Sequence, residues 1–237
     1  MIFKNKQVVV TGGTGALGTA VVARLLDQGA IVHIPAFNDG EVVRFAHNEH
    51  ERVVMVSGVD LTDEALVKHF YDAVGEVWAS IHIAGGFDMS PISETSAAAF
   101  DKQMAMNAKT CFLCSREAVK AMRGLDVGEG VGGRIVNVAA RPGVEPRQGA
   151  GMVAYTASKA AVAAITQAMS EELAAEGIWV NAVAPSILDT PANRASMPDA
   201  NFAAWPKPDE VAATIVHLAS PDNGAARGAV VPVYGKV

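Results

Sequence analysis

The chain has 237 residues, a formal net charge of −6 at pH 7, and hydrophobic residues at 50% of its positions. This length and apolar content allow a sizeable core and argue against extended disorder, while the acidic balance argues against a nucleic-acid or anionic-lipid partner. The first residues show no signal-peptide pattern, and no stretch reaches the roughly 18 uninterrupted apolar residues of a membrane span. We therefore expect a soluble, cytoplasmic protein without a membrane partner.

Seven short β-branched runs alternate with longer amphipathic segments whose apolar residues recur about every 3.6 positions. This alternation predicts a doubly wound α/β fold, in which helices cover both faces of a seven-stranded parallel sheet. No linker, repeat or charge run divides the chain, so we expect one domain over residues 1–237, with a mobile loop at residues 124–133. The predicted strands are "QVVVTG", "AIVHIPA", "RVVMVSG", "WASIHIAGG", "GRIVNVAA", "IWVNAVAP" and "AVVPVYG".

The first predicted strand leads into a glycine-rich turn, "TGGTGALG", and then directly into a helix. Gly12, Gly15 and Gly18 permit a tight turn, close approach of a ligand and close packing of the helix on the sheet. Free N–H groups at the helix start favour an anion such as pyrophosphate. Because the dinucleotide-binding motif requires this strand–turn–helix context, we predict a dinucleotide site rather than an ordinary turn.

The second strand ends in "HIPAFND", which carries neither side chain that distinguishes NAD from NADP. A carboxylate there would hold the adenosine ribose of NAD, and a basic residue would hold the 2′-phosphate of NADP. The expected position is Ala36, beside Phe37 and Asn38, and Asp39 comes late. We therefore expect NAD or NADP as cofactor without a resolved preference, and discrimination of only about 10- to 100-fold.

A tyrosine and a lysine lie four residues apart in "YTASK". On a helix, Tyr155 and Lys159 share one face, where the ammonium could stabilise a tyrosinate. Lowering the tyrosine pKa from about 10 to about 7 requires roughly 4 kcal/mol. Tyr155 is therefore a candidate general acid in reduction, or general base in oxidation. The alternative is that the spacing is incidental, since any helix can carry these two residues.

Two other groups of residues favour structural interpretations. Cys111 and Cys114 have Cys-x-x-Cys spacing, but their segment has helical periodicity and no second pair exists for zinc, so we expect two half-buried helix thiols. His47 and His50 in "AHNEHER" lie among polar residues typical of a solvated turn. We expect neither a disulfide framework nor a metal site.

Taken together and in order, the motifs resemble those of the short-chain dehydrogenases/reductases along essentially the whole chain. The resemblance implies that Asp60 in "GVDLTDE" meets the adenine amino group and that Thr190 in "APSILDT" meets the nicotinamide carboxamide. It also implies a catalytic set of Asn107, Tyr155 and Lys159, in which Lys159 holds the nicotinamide ribose and Asn107 links it to water. The implied cofactor-binding residues are Gly12, Gly15, Leu17, Gly18, Ala36, Asp60, Leu61, Ala84, Gly85, Tyr155, Lys159, Pro185, Ile187 and Thr190.

The sequence departs from the family pattern at several positions. Ala16 occupies the usual middle glycine, and "HIAG" replaces Asn-Asn-Ala-Gly, with His82 and Ile83 in place of both asparagines. We interpret His82 as a satisfied, partly buried imidazole rather than a catalytic base. The family's catalytic serine falls on Ala140 in "NVAAR".

A narrower resemblance is to the dihydropteridine reductases, which also lack that serine. It rests on "TGGTGALG", "AGGF", "GAGMVAYTASK" and "LDTPANRASMPDANFAAW". It implies an NADH-linked reduction of a planar, conjugated C=N substrate. The predicted substrate-pocket residues are Phe87, Ala140, Met152 and Trp205, which could instead be core or lid residues.

Two alternatives remain open. One is an ordinary carbonyl or 3-oxoacyl reductase, or an alcohol dehydrogenase, in which another group replaces the serine. The other is a dinucleotide-binding regulator without turnover, against which the retention of Asn107, Tyr155 and Lys159 argues. The apolar segments "KTCFLCSREAVKAM" and "SKAAVAAITQAMSEEL" lead us to expect a homodimer or homotetramer.

Overall fold

The computed structural model describes residues 1–125 and 132–237, and all seven of its strands belong to one parallel sheet. The strand order is β3-β2-β1-β4-β5-β6-β7. Each predicted strand is confirmed, and the predicted fold class with it. The bounds are β1 Gln7–Thr11, β2 Ile31–Pro35, β3 Val53–Val56, β4 Ala79–His82, β5 Gly133–Val138, β6 Ile178–Pro185 and β7 Val230–Val233.

Helices cover both faces of the sheet. Helices α1 and α9 pack with one apolar cluster, while α3 and α5 pack with a second cluster on the other face. A π-helical segment, Met104–Lys109, joins α4 to α5. The helices are α1 Ala16–Asp27, α2 Asp39–Arg44, α3 Glu64–Val74, α4 Ala97–Gln103, α5 Thr110–Met122, α6 Arg141–Val144, α7 Val153–Glu172, α8 Pro191–Ser196 and α9 Pro208–Ala219.

The strand order creates a crevice where it reverses. From β1 the chain winds outward to β2 and β3, then returns to place β4 on the other side of β1. In open parallel sheets, the loops that leave the two strands at such a point diverge, so a ligand site forms at their carboxyl ends. The turn after Thr11 and the loop after His82 border this crevice, and the strand ends at its base are still paired, since the Ile83 N–H donates to the Thr11 carbonyl at 3.2 Å.

A chain of polar side chains crosses the centre of the sheet at His82. Its Nδ1 lies 2.8 Å from Asn137 Oδ1, and its Nε2 lies 2.8 Å from Ser80 Oγ. Asn137 in turn donates to Thr166 Oγ1 of α7 at 2.9 Å. Burial lowers the pKa of His82 to about 4. The interpretation of His82 as a satisfied imidazole is confirmed, although the ring is fully rather than partly buried.

The remaining structural expectations have mixed outcomes. Cys111 and Cys114 are free thiols, but they are fully buried rather than half-buried, and desolvation raises the pKa of both, that of Cys111 to about 12. His47 packs edge-on against Phe45, and His50 Nδ1 accepts from the backbone of Arg52. Within the predicted loop, residues 126–131 lie outside the described residues. No helix in the described ranges has the length and apolar character needed to cross a bilayer.

Candidate active site

A cleft of about 610 Å³ opens at the carboxyl ends of the strands next to the crossover. The glycine-rich turn, the end of β2, the segment after β3 and the loop after β4 form its walls. The lining residues are Gly12, Thr14, Gly15, Ala16, Leu17, Gly18, Pro35, Phe37, Glu41, Val59, Asp60, Leu61, Thr62, Ile83, Ala84, Gly85, Met106 and Thr110.

The glycine-rich turn has the shape of a phosphate cradle. Gly12 has a φ of +67°, and a Cβ there would come within 2.7 Å of the Ala84 backbone nitrogen. A Cβ at Gly18 would lie 2.1 Å from the Gly12 carbonyl, so the start of α1 can pack this closely only without a side chain. Helix α1 begins at Ala16, and the N–H groups of its first turn adjoin the cleft. These features fit the diphosphate of a dinucleotide.

Eight of the predicted cofactor-binding residues line this cleft: Gly12, Gly15, Leu17, Gly18, Asp60, Leu61, Ala84 and Gly85. Asp60 anchors one end, where its Oδ1 accepts from the N–H of Thr62 at 2.8 Å and from the Thr62 hydroxyl at 2.7 Å. The glycine motif and the position of Asp60 were readable from the sequence. Phe37, Glu41 and Met106 were missed as lining residues, because only the folded chain brings them to the cleft. Thr14 also lines it and belongs to the glycine-rich motif, but it was not singled out.

Ala36, which we expected in the cofactor site, is not among the residues that line the cleft. Its side chain is 0% exposed, its N–H donates to Val56 and its carbonyl accepts from Val59. The backbone is thus bonded to the β3 side of the sheet, and the methyl group points into packed protein. The neighbouring Phe37, 61% exposed, lines the cleft instead.

Helix α7 carries the predicted proton-transfer pair. Lys159 is 6% exposed, and its ammonium donates to the Val138 carbonyl at 2.8 Å, which fixes it against the end of β5. Desolvation lowers the pKa of Lys159 to about 8. Burial raises the pKa of Tyr155 to about 12, whereas we expected a lower pKa from the neighbouring cation. The Tyr155 ring packs edge-on against Phe87, with ring centroids 5.0 Å apart.

Asn107 lies in the π-helical segment, where its side chain joins two parts of the site. Its Oδ1 accepts from the Gly86 N–H at 3.1 Å, and its Nδ2 lies 3.0 Å from the Gly86 carbonyl. Nδ2 also lies 3.1 Å from Ser158 Oγ, and that hydroxyl donates to the Tyr155 carbonyl at 2.8 Å. Single-turn π segments are frequent at functional sites. Ser158 is a further residue that the sequence did not single out.

Ala140 lies two residues beyond the end of β5. It is 5% exposed and precedes α6, which packs so closely on α7 that a Cβ at Gly143 would lie 2.6 Å from the Lys159 carbonyl carbon. Ala140 therefore lies between two residues that contact α7: Val138, whose carbonyl accepts from Lys159, and Gly143. At position 140 the side chain is a methyl group, whereas a serine would carry a hydroxyl.

The other predicted residues are distributed around this edge. Met152 immediately precedes α7 and forms a parallel bridge with Ser90, and Trp205 is buried against Phe202, with ring centroids 5.1 Å apart. Thr190 caps α8, where its Oγ1 accepts from the Asn193 N–H at 3.2 Å. Pro185 ends β6 at the same carboxyl edge, and Ile187 is partly exposed beyond it.

Similarity to known proteins agrees with this architecture. The chain matches the short chain dehydrogenase family over residues 6–201. It is 32% identical to (2S)-[(R)-hydroxy(phenyl)methyl]succinyl-CoA dehydrogenase subunit BbsD of Thauera aromatica, and the alignment covers 99% of this chain and 97% of the relative. It is 31% identical to sorbitol dehydrogenase of Cereibacter sphaeroides, with 80% of this chain and 73% of the relative covered. Among solved structures, gox2181 superposes with a TM-score of 0.88 at 27% identity, covering 98% of this chain and 95% of the other.

These relatives are dehydrogenases other than dihydropteridine reductases, so the narrower resemblance is not shown by them. The family match covers most of the chain, and the cleft fits the dinucleotide cofactor that the family uses. The chain belongs to the short chain dehydrogenase family and is an NAD(P)-dependent oxidoreductase.

Proposed function

We propose that this protein reduces a small, planar, conjugated substrate, and that Tyr155 donates the proton. When bound, the nicotinamide dinucleotide supplies the hydride. The observation that carries the substrate class is the buried methyl group of Ala140 in the segment that packs against the catalytic helix. The proposal concerns the substrate, since the oxidoreductase class follows from the family.

The catalytic roles follow from how the side chains are held. Tyr155 is the proton donor; it is protonated at neutral pH, and burial raises its pKa further, to about 12. Lys159 is tied to Val138 and supplies the positive charge next to the site, where it would hold the nicotinamide ribose. Asn107 positions the Gly86 loop relative to α7 through Ser158.

The cofactor would lie along the cleft with its diphosphate at the start of α1. Asp60 would meet the adenine, and Gly85 would lie beneath the nicotinamide half, since a Cβ there would be 3.4 Å from Lys159 Nζ. Thr190 would meet the carboxamide. Its Oγ1 accepts the helix-cap hydrogen bond, so its hydroxyl hydrogen is available to donate.

The absence of a hydroxyl at position 140 supports a conjugated substrate over an isolated ketone. Reduction of an isolated ketone places negative charge on one oxygen, and losing a donor to that oxygen typically costs about 3–4 kcal/mol. A conjugated C=N or quinonoid substrate spreads the charge or places the proton on nitrogen. Such a substrate needs only one proton donor, the role that we propose for Tyr155. A quinonoid dihydropterin has this chemistry, and the exposed ring of Phe87 beside Tyr155 offers it an aromatic contact.

The alternative is an alcohol dehydrogenase or carbonyl reductase. The names of relatives such as sorbitol dehydrogenase and cis-4-hydroxycyclohexanecarboxylate dehydrogenase, from Sinomonas cyclohexanicum, favour it. In that case another donor would have to take the place of the serine.

A substrate panel separates the two. Steady-state rates are measured with NADH and NADPH on a quinonoid dihydropterin and on simple ketones, and in the reverse direction on polyols. We expect the conjugated compound to be reduced at least about 100-fold more efficiently than ketones. Efficient turnover of ketones or polyols instead would establish the alternative. We also expect a homodimer or homotetramer, which light scattering on the same preparation would measure.

A further inference from the structure

A carboxylate that belongs to α2, rather than to the end of β2, stands at the rim of the cofactor cleft. Glu41 lines the cleft with Phe37 and the glycine-rich turn. Its Oε2 lies 3.4 Å from the Thr14 hydroxyl, which donates to it, and accepts from the Phe37 N–H at 3.2 Å. The side chain therefore bridges the turn and the segment after β2, between which the adenosine half of a dinucleotide is recognised.

The hydrogen bonds of Glu41 leave one carboxylate oxygen available. Its backbone N–H donates to Asn38 Oδ1 at 3.1 Å, so the first turn of α2 is fixed around it. Both side-chain contacts reach Oε2, and Oε1 has no hydrogen-bond partner among the described residues. A carboxylate that is anchored through one oxygen and accepts through the other suits the paired hydroxyls of a ribose.

The charges that line the cleft are all negative. The lining residues include the carboxylates of Glu41 and Asp60, and within the described part of the chain they include no lysine or arginine. A 2′-phosphate on the adenosine ribose would meet like charge from these lining residues, which disfavours its binding. Arg44 of α2 approaches Gly40, where its Nη1 would lie 3.6 Å from a Cβ, but it is not among the residues that line the cleft. A free ribose hydroxyl would gain a charge-assisted hydrogen bond in the same place.

We propose that Glu41 selects NAD over NADP, by binding the adenosine ribose hydroxyls and by repelling a 2′-phosphate. The inference rests on the proposed function only in requiring that the cleft bind a nicotinamide dinucleotide. It replaces the expectation of weak discrimination, which was based on the absence of a carboxylate at residues 36–38. Glu41 also caps α2 through the Phe37 N–H, so the test has to separate recognition from helix stability.

The test compares wild type with Glu41→Gln and with Asp39→Asn. Glutamine retains an acceptor for the Phe37 N–H but loses the charge. Asp39 is an exposed residue of the same helix that does not line the cleft, so Asp39→Asn makes the same charge change outside it. Dissociation constants for NADH and NADPH are measured by nicotinamide fluorescence on the whole protein without substrate, and thermal unfolding is recorded for each variant.

We expect wild type and Asp39→Asn to bind NADH at least about 100-fold more tightly than NADPH, and Glu41→Gln to reduce that ratio to about tenfold or less, chiefly by tighter NADPH binding. The inference is overturned if wild type binds both within tenfold, or if Glu41→Gln keeps the wild-type ratio and changes only the melting temperature. Selective binding without turnover of any panel substrate would count against the proposed function alone. Unselective binding with turnover would count against the role of Glu41 alone.

Discussion

The side-chain amide of Asn107 lies 3.1 Å from the hydroxyl of Ser158, so the π-helical segment and the catalytic helix are joined by a direct hydrogen bond. The same asparagine holds Gly86 in the cofactor loop, and Ser158 donates to the carbonyl of Tyr155. The loop after β4 and the start of α7 are therefore linked through Asn107 and Ser158. Proton transfer requires the donor to be held at a defined distance from the substrate, and Asn107 and Ser158 help to position the helix that carries Tyr155.

The hydroxyl of Tyr155 is expected to act in chemistry and not in cofactor binding. Tyr155→Phe retains the ring and its edge-on contact with Phe87. We expect kcat to fall by about 100- to 10,000-fold while the NADH dissociation constant changes by less than about threefold. Lys159→Ala is the contrasting variant and should impair both, because it removes the cation tied to Val138. Near-normal turnover by Tyr155→Phe would remove this residue from the mechanism.

Lys159 should give the reductive reaction a decline at alkaline pH. Burial lowers the pKa of its ammonium to about 8, so the charged form is present below that pH and is lost as the pH rises through it. Because kcat/KM reports the free enzyme, we expect it to be level near about pH 7 and to fall about tenfold per unit above about pH 8. Lys159→Arg stays charged and should abolish the decline in whatever activity it retains. A wild-type profile that is still level at about pH 10 would contradict this assignment.

His82 should make the folded protein less stable in acid. Burial lowers its pKa from 6.5 to about 4, so the unfolded chain binds the proton more readily between these two values. The contribution of His82 to the free energy of unfolding is therefore fully present above pH 6.5. It decreases by up to about 3 kcal/mol as the pH falls toward about 4. Urea unfolding at the two ends of this window measures the change. In His82→Asn this part of the pH dependence should disappear, whereas the part due to other groups remains, and an identical pH dependence in both proteins would disprove the contribution.

The fold was predictable because strands buried on both faces of a parallel sheet appear as short apolar runs, as in β5, where every residue is buried. The glycine turn was predictable because its backbone tolerates no side chain at Gly12 or Gly18. The position of Glu41 at the cleft was not predictable, because its approach to Thr14 depends on where α2 begins and how this helix is oriented. No local sequence pattern specifies either. Ser158 likewise gains its role only when Asn107 meets it across the fold.

The burial of Ala36 gives a prediction opposite to the one its sequence position suggests. A carboxylate at this fully buried position would lack both solvent and a cation, so Ala36→Asp should lower the free energy of unfolding by about 3–5 kcal/mol and should not create a ribose ligand. Phe37→Asp is the matched variant, because this neighbouring side chain is exposed and should tolerate a charge. Urea unfolding compares the two. Equal free energies of unfolding for the two variants would contradict the prediction and would show that the end of β2 can rearrange to expose a charge at position 36.

The final prediction concerns the missing hydroxyl. Ala140 has extended backbone angles and precedes α6 without a side-chain cap, so a serine fits both the conformation and the helix start. We expect Ala140→Ser to be folded with unchanged or higher stability and to reduce saturated ketones about 100- to 1000-fold faster than wild type, because its hydroxyl can donate to the developing oxyanion. The rate with a quinonoid dihydropterin should change by less than about threefold, since that substrate has no localised oxyanion to stabilise. Ala140→Gly controls for space at the same position, because it adds no donor and should leave the ratio of ketone to dihydropterin rates as it is in wild type. Steady-state kinetics of the three proteins on both substrate types decide the matter: efficient ketone reduction by wild type that Ala140→Ser leaves unchanged would mean that another donor occupies the place of the serine.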